Sequence, residues 1–205
     1  MSSKTSLLVA IVGGSGSGKT WLAEKLKAVL GRKALRVSLD DFYLDRSHLA
    51  PSRRAKLNFD HPRAIDWVGF EKALRALRAG RATRIPRYDF STHCRLPVSR
   101  MVGVKPIILV EGLWLFRRRS LRDLFEFKIF LECPSVTRLQ RRLSRDLLSR
   151  GRTRASIREQ FRKTVEPMHR KFVKDQKRWA NLVLRRPCDP RQVTRIAAML
   201  SQRAK

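Results

Sequence analysis

The 205-residue chain is poor in acidic side chains: 17 Asp and Glu stand against 47 Lys and Arg, a formal net charge of +30. Such an excess draws any polyanion, whether nucleotide, nucleic acid or anionic membrane. Nucleic-acid readers usually carry a further mark, and none is present. The basic residues have no RNA-binding aromatic signature, no zinc-finger spacing and no heptad-linked basic region beside them. Most of them therefore read as a solvated, arginine-biased surface, with nucleic acid kept as a secondary partner. Cysteine is scarce too. Cys94, Cys133 and Cys188 are odd in number, far apart and without a Cys-x-x-Cys pair. This spacing fits neither a zinc site nor a disulfide framework, so reduced thiols are expected. No apolar run approaches the roughly 18 residues that span a bilayer, which removes the membrane as an expected location. Leu7–Val12, preceded by Lys4, is too short for a signal-peptide core and runs straight into glycines. A cytoplasmic protein is the expectation. Internal repeats and low-complexity linkers are also missing, so residues 1–205 read as a single domain.

A hydrophobic content of 42% is enough for a folded core. Leu7–Val12 is a continuous apolar run, as in a strand covered on both faces. Trp21–Leu30 reads as a helix stopped by Gly31, and Ala34–Ser38 as a strand. Residues 44–63 lack periodicity and form a long excursion. Asp66 is placed to cap a helix with Trp67, Phe70, Leu74 and Leu77 on one stripe, ended by Gly80. Short strands or loops follow over 82–101, then strands at Ile107–Val110 and Phe127–Leu131. A helix from Ser135 to near Gly151 is expected to turn Val136, Leu139, Leu143 and Leu147 to the core. Arg138, Arg142 and Arg145 fall on its other face, with Arg141 beside them. A longer helix carries Ile157, Phe161, Val165, Met168 and Phe172 on one stripe, with a kink expected at Pro167. A strand at Asn181–Leu184 and a helix at 190–203 close the chain. Alternation of this kind predicts an α/β fold of three layers, α/β/α, around a mostly parallel sheet.

Gly13-Gly14-Ser15-Gly16-Ser17-Gly18-Lys19-Thr20 fits G-x-x-x-x-G-K-[ST] between a predicted strand and a predicted helix. Glycines let several backbone N–H groups converge on one phosphate, and the helix start adds its positive dipole end. Lys19 would reach the β- and γ-phosphates of ATP, and the Thr20 hydroxyl would bind Mg²⁺. An Asn-Lys-x-Asp guanine reader is absent, and the D-x-x-G at Asp66–Gly69 sits where a helix cap belongs. Asp40 and Asp41 follow the second strand, at the sheet end where ligands gather. A carboxylate there can take the acceptor's proton, and Glu111 closes a strand in the manner of a Walker B residue. On spacing alone, a turn or cap role for Asp40–Asp41 stands equally.

Several further runs resemble the uridine (uridine–cytidine) kinase family, within the phosphoribulokinase/uridine kinase group. They are Asp40-Asp41-Phe42-Tyr43, Asn58-Phe59-Asp60-His61-Pro62, Pro86-Arg87-Tyr88-Asp89-Phe90 with His93 and Arg95, Glu111-Gly112, Arg138–Arg142, Arg150-Gly151-Arg152 and Pro167-Met168-His169. They keep family order over about residues 7–184. The resemblance implies an ATP- and Mg²⁺-dependent kinase for a nucleoside 5′-hydroxyl, with uridine or cytidine as acceptor and a homo-oligomeric assembly. It places Asp40 on that hydroxyl and beside the metal with Thr20 and Glu111. Asp60 and Arg138 fall on the ribose hydroxyls, and Tyr43, Tyr88, Phe90 and His93 around the base. Arg141, Arg150 and Arg152 fall in a lid, about 138–156, over the triphosphate. Arg63, Trp114 and the Arg186–Pro190 stretch depart from the family pattern. The first two bear on the acceptor, and leave nicotinamide riboside, pantothenate or ribulose phosphate as alternatives.

Overall fold

The computed structural model of the protein describes residues 5–54, 56–149, 152–185 and 189–204. In chain order the elements are β1 (Leu7–Gly13), α1 (Lys19–Leu30), β2 (Ala34–Ser38), α2 (Pro51–Arg54), α3 (Trp67–Arg78) and the short strands β3 (Thr83–Ile85), β4 (Tyr88–Asp89), β5 (Cys94–Arg95) and β6 (Arg100–Val102). Then come β7 (Ile107–Gly112), α4 (Arg119–Arg122), β8 (Phe127–Leu131), α5 (Ser135–Ser149), α6 (Arg154–Gln160), α7 (Glu166–Phe172), β9 (Leu182–Leu184) and α8 (Pro190–Arg203).

Five strands form one parallel sheet in the order β2-β7-β1-β8-β9. β1 lies at its centre and is buried at every position. Its alternating side chains feed two cores. Leu8, Ala10 and Val12 pack with α3 and Trp114, while Val9 and Ile11 pack with α1 and α8. A strand covered on both faces has no polar side to show, which is why its sequence reads as an unbroken apolar run. Local signals fix the helix ends. Asp66 accepts from the Gly69 N–H at 2.9 Å, and Asp189 with Gln192 forms a capping box on α8. The 82–101 stretch resolves into two small antiparallel pairs, β3 with β6 and β4 with β5, set apart from the five-stranded sheet, and the 44–63 excursion holds the short helix α2.

The register gathers three strand ends. Glu111 of β7 pairs with Ser38 of β2 and with Ile11 of β1, so the loop after β1 and the turn after β2 flank one carboxylate. Gly112 is required there because a Cβ would lie 2.6 Å from the Leu39 Cβ.

Two expectations need correction. α5 was expected to turn Val136, Leu139, Leu143 and Leu147 inward, yet Val136 is 66% exposed and the leucines are half-buried. Its deepest side chains are Arg138, Arg142 and Asp146. The buried row is charged because α5 faces the glycine loop rather than an apolar core, and its guanidinium groups find acceptors there. The long helix after it is not kinked at Pro167 alone. It passes through a π-helical turn over Phe161–Val165, just before the proline whose missing N–H interrupts the helical ladder. Ile157, Phe161 and Val165 stay buried through this widening.

Candidate active site

β1 ends in the glycine loop, and two of its glycines are conformationally obligatory. Gly16 and Gly18 take φ of 79° and 98°, where a side chain is strained. A Cβ on Gly16 would also sit 2.5 Å from the Arg138 carbonyl oxygen. Gly14 lies against the His169 ring and the Arg138 stem. Lys19 Nζ donates to the Gly14 carbonyl at 3.1 Å, so the loop is closed over its own lysine. Burial pulls this ammonium below its ordinary pKa, while Glu111 and Asp40 push it back up.

Glu111 is the polar hub. One of its oxygens accepts from the Thr20 hydroxyl at 3.2 Å, the Ser38 hydroxyl at 3.0 Å and Arg36 at 2.9 Å. Burial raises its carboxyl, the neighbouring Asp40 adds to this, and Lys19 and Arg36 oppose it. Asp40 opens the turn after β2, its N–H held by the Ser38 hydroxyl at 3.3 Å. The Thr20 hydroxyl and two carboxylates around one ammonium form a hard-oxygen set whose chemistry fits Mg²⁺.

The loop, Asp40 and Glu111 open into a cavity of about 630 Å³. Its far wall carries Tyr43, Phe59, Tyr88, Phe90 and His93. Tyr43 lies 5.1 Å from Tyr88 and 6.2 Å from Phe90, and His93 stacks flat on Phe59 at 4.2 Å. The Tyr43 hydroxyl donates to the Phe59 carbonyl at 3.0 Å. Arg95 ties this wall to the sheet, donating to the Tyr43 carbonyl at 2.8 Å and to Asp66 at 3.0 Å. Between wall and loop lies Asp60, whose carboxyl is raised by burial and lowered first by Arg142, then by the Thr164 hydroxyl at 3.3 Å.

The arginines divide into two groups. Arg141 donates to the Ser17 carbonyl at 3.2 Å and lines the cavity with Arg142, Arg145 and Arg152. Arg138, expected on the ribose, does not line the cavity; it is sealed beneath the loop, paired with Glu166 and donating to the Cys133 carbonyl. Arg142 is the cavity arginine whose charge most lowers the Asp60 carboxyl, and it is bonded to Ser15 at 2.9 Å and Gln160 at 2.7 Å. Arg152 also donates to Gln160. Arg142, Arg145 and Gln160 had been passed over. The Arg142–Asp146 and Arg138–Glu166 pairings are long-range or i,i+4 facts that the helical period alone does not rank. Arg150 lies outside the described residues. The small side chains of Ser15 and Thr20, with Lys19, complete the phosphate end of the cavity.

A strand–glycine loop–helix at the centre of a parallel sheet, opening on an acceptor-sized cavity with its own carboxylate, defines a P-loop kinase. The chain belongs to the phosphoribulokinase/uridine kinase family, which it matches over residues 8–191. It is 39% identical over 178 residues to the uridine kinase of Chloroflexus aurantiacus, covering 86% of this chain and 85% of that one. Its identity to the uridine kinase of Shewanella amazonensis is 36% over 191 residues, covering 91% and 90%. The fold also resembles phosphoribulokinase from Rhodobacter spheroides, with a TM-score of 0.67 at 14% identity, covering 94% of this chain and 75% of that one. Among the described residues no helix is long and apolar enough to cross a membrane.

Proposed function

We propose that the protein transfers the γ-phosphoryl group of ATP to the 5′-hydroxyl of a ribonucleoside, with uridine or cytidine as acceptor. The observation that carries this reading is one cavity joining the phosphate loop, Asp40 and Asp60 to an aromatic wall. Relatives 36–39% identical over most of the chain are uridine kinases, which supports the same acceptor.

Residues 13–20 cradle the triphosphate through backbone N–H groups, with Lys19 at the β- and γ-phosphates. Thr20, with Glu111 and Asp40 close by, would hold Mg²⁺, which when bound would supply charge neutralisation at the transferring group. Asp40 orients the 5′-hydroxyl and accepts its proton. An ordinary aspartate is a weak base, so positioning and electrostatics provide most of the rate. Asp60 and Arg142 bind the ribose hydroxyls as a carboxylate–guanidinium pair that both accepts and donates. The base stacks within Tyr43, Tyr88 and Phe90, and His93 reads its edge. Arg141, Arg145 and Arg152 belong to a lid, about residues 138–156, whose planar forks grip phosphate oxygens as it closes.

The test is ATP-dependent phosphorylation of uridine, cytidine, adenosine, nicotinamide riboside, pantothenate and ribulose 5-phosphate with Mg²⁺. Turnover of the pyrimidine ribonucleosides well above the others is expected. Activity confined to another acceptor would leave Lys19 and Asp40 in place and overturn the assignment of the aromatic wall.

A further inference from the structure

The excess of positive charge is not spread evenly in its pairing. On the sheet face that carries α3, the segment 117–122 lays three arginines over three rings from different elements. Arg117 lies 4.6 Å from the Phe172 ring, Arg118 5.0 Å from Trp67 and Arg122 4.3 Å from Trp179. Lys171 and Arg178 also approach Phe172 and Trp179, at 5.4 Å and 4.2 Å. Arg63 joins the group through His61, whose Nδ1 accepts the Arg63 N–H at 3.0 Å and whose ring packs on Phe172 at 4.9 Å; burial first, then Arg63, Lys171 and Arg117, lower the His61 pKa. Six elements and turns thus meet in one patch.

Arg63, Arg117, Arg118, Lys171 and Arg178 are all exposed, and among the described residues none has a carboxylate within ion-pair distance. The few acids nearby are otherwise engaged or peripheral. Glu71 is bonded to Arg75 and Ser120 and also feels Arg118, Glu166 holds Arg138 and Arg170, Glu132 holds Lys177, and Asp123 lies with Arg119. Asp175 is exposed in the turn after α7.

We infer that this face binds single-stranded RNA. The exposed cations can meet phosphates, and guanidinium planes already seated on Trp67, Phe172 and Trp179 offer flat faces on which unstacked bases can lie. Among the described residues from these elements, Val68 is the one large apolar side chain that is exposed, so an anionic bilayer would meet mostly charge. None of these side chains lines the catalytic cavity, so RNA binding is separable from phosphoryl transfer.

The test is fluorescence anisotropy of a labelled 20-nucleotide oligoadenylate with the full chain between 50 and 300 mM NaCl. Five phosphate contacts predict a log–log salt slope of about −3.5, at roughly −0.7 per contact on a single strand. The variant Arg117→Gln/Lys171→Gln/Arg178→Gln should shallow that slope by about 2 units. Lys27→Gln/Arg32→Gln/Arg195→Gln removes the same charge from exposed positions on the α1 and α8 side and should barely change it. Kinase activity should remain at the wild-type level in both variants, which reports that they fold. Equal loss in the two variants would mean diffuse charge and overturn the assignment. Binding to phosphatidylglycerol vesicles without binding to RNA would assign the face to a membrane instead, and equally overturn it. On the unaltered protein, bound RNA should shield Lys171 from acetylation as read by mass spectrometry; unchanged labelling contradicts the proposal.

Discussion

Arg142→Met tests how the phosphate and acceptor ends of the cavity are coupled. Arg142 is 5% exposed and bonds Ser15 in the loop and Gln160 in α6, with Asp146 at 3.5 Å and fully buried. Removing one partner of a buried ion pair costs about 3–5 kcal/mol. Here the lower end applies, because Arg145 stays 2.7 Å from Asp146 and methionine keeps the buried stem filled. A loss of about 3 kcal/mol lowers the Tm of a chain this long by about 10 °C. The second effect is electrostatic. Burial already raises the Asp60 carboxyl, and Arg142 is the largest influence holding it down. Without Arg142 the carboxylate protonates at higher pH, so the acid limb of kcat/KM for uridine should move towards neutrality. The limb for ATP should stay where it is. Urea unfolding and pH–rate profiles from pH 5 to 8 read both effects. A stability loss under about 1 kcal/mol with an unmoved uridine limb would refute the coupling.

His169 supplies a pH prediction of its own. Burial and Arg138 push its pKa down to about 4, so the folded state holds it neutral while the unfolded chain protonates near 6.5. Stability from this group is intact above pH 6.5 and is lost as pH falls towards 4, about 2 kcal/mol of it by pH 5. His169→Phe should lose less stability than wild type between pH 7 and 5 in urea melts; parallel losses would contradict the buried neutral imidazole. Gly16→Ala combines a left-handed φ with a Cβ 2.5 Å from a backbone oxygen and should raise the KM for ATP at least tenfold. Gly31→Ala, strained in φ but with nothing within 4 Å, should lose only about 1 kcal/mol and keep activity. Arg95→Leu frees the aromatic wall from Tyr43 and Asp66, so the KM for uridine should rise about tenfold while the ATP value holds. An equal rise for both substrates would place Arg95 in the general fold instead.

The sheet and the glycine loop were legible in the sequence because their signals are local. A doubly covered strand must be apolar throughout, and a phosphate loop must place its glycines, lysine and threonine at fixed offsets. The cap at Asp66 and the stop at Gly31 are equally local. α5 was misread because hydrophobic periodicity assumes an apolar core on the inner side. Here Arg138 and Arg142 point inward to acceptors supplied by Cys133, Glu166, Ser15 and Gln160, and Asp146 is buried against Arg142 and Arg145. A buried charged row has the same period as an exposed one, and only its distant partners distinguish them. The family resemblance, not the period, implies Arg138 at the ribose, whereas the charge that most lowers the Asp60 carboxyl in the structure is that of Arg142. Gln160 escaped notice for a related reason: an uncharged side chain on a helix carries no pattern, and it gains meaning only where Arg142 and Arg152 converge on it.

The most direct measurement is uridine 5′-monophosphate formation from ATP and uridine by wild type and Asp40→Asn, with ATP affinity measured in parallel. Wild type should form the 5′-monophosphate rapidly. Asp40→Asn, which keeps the shape but not the proton acceptor, should fall by about 10²–10⁴ in kcat with ATP binding preserved. Retention of activity within tenfold, or a wild-type product phosphorylated elsewhere than at the 5′-oxygen, would contradict the account.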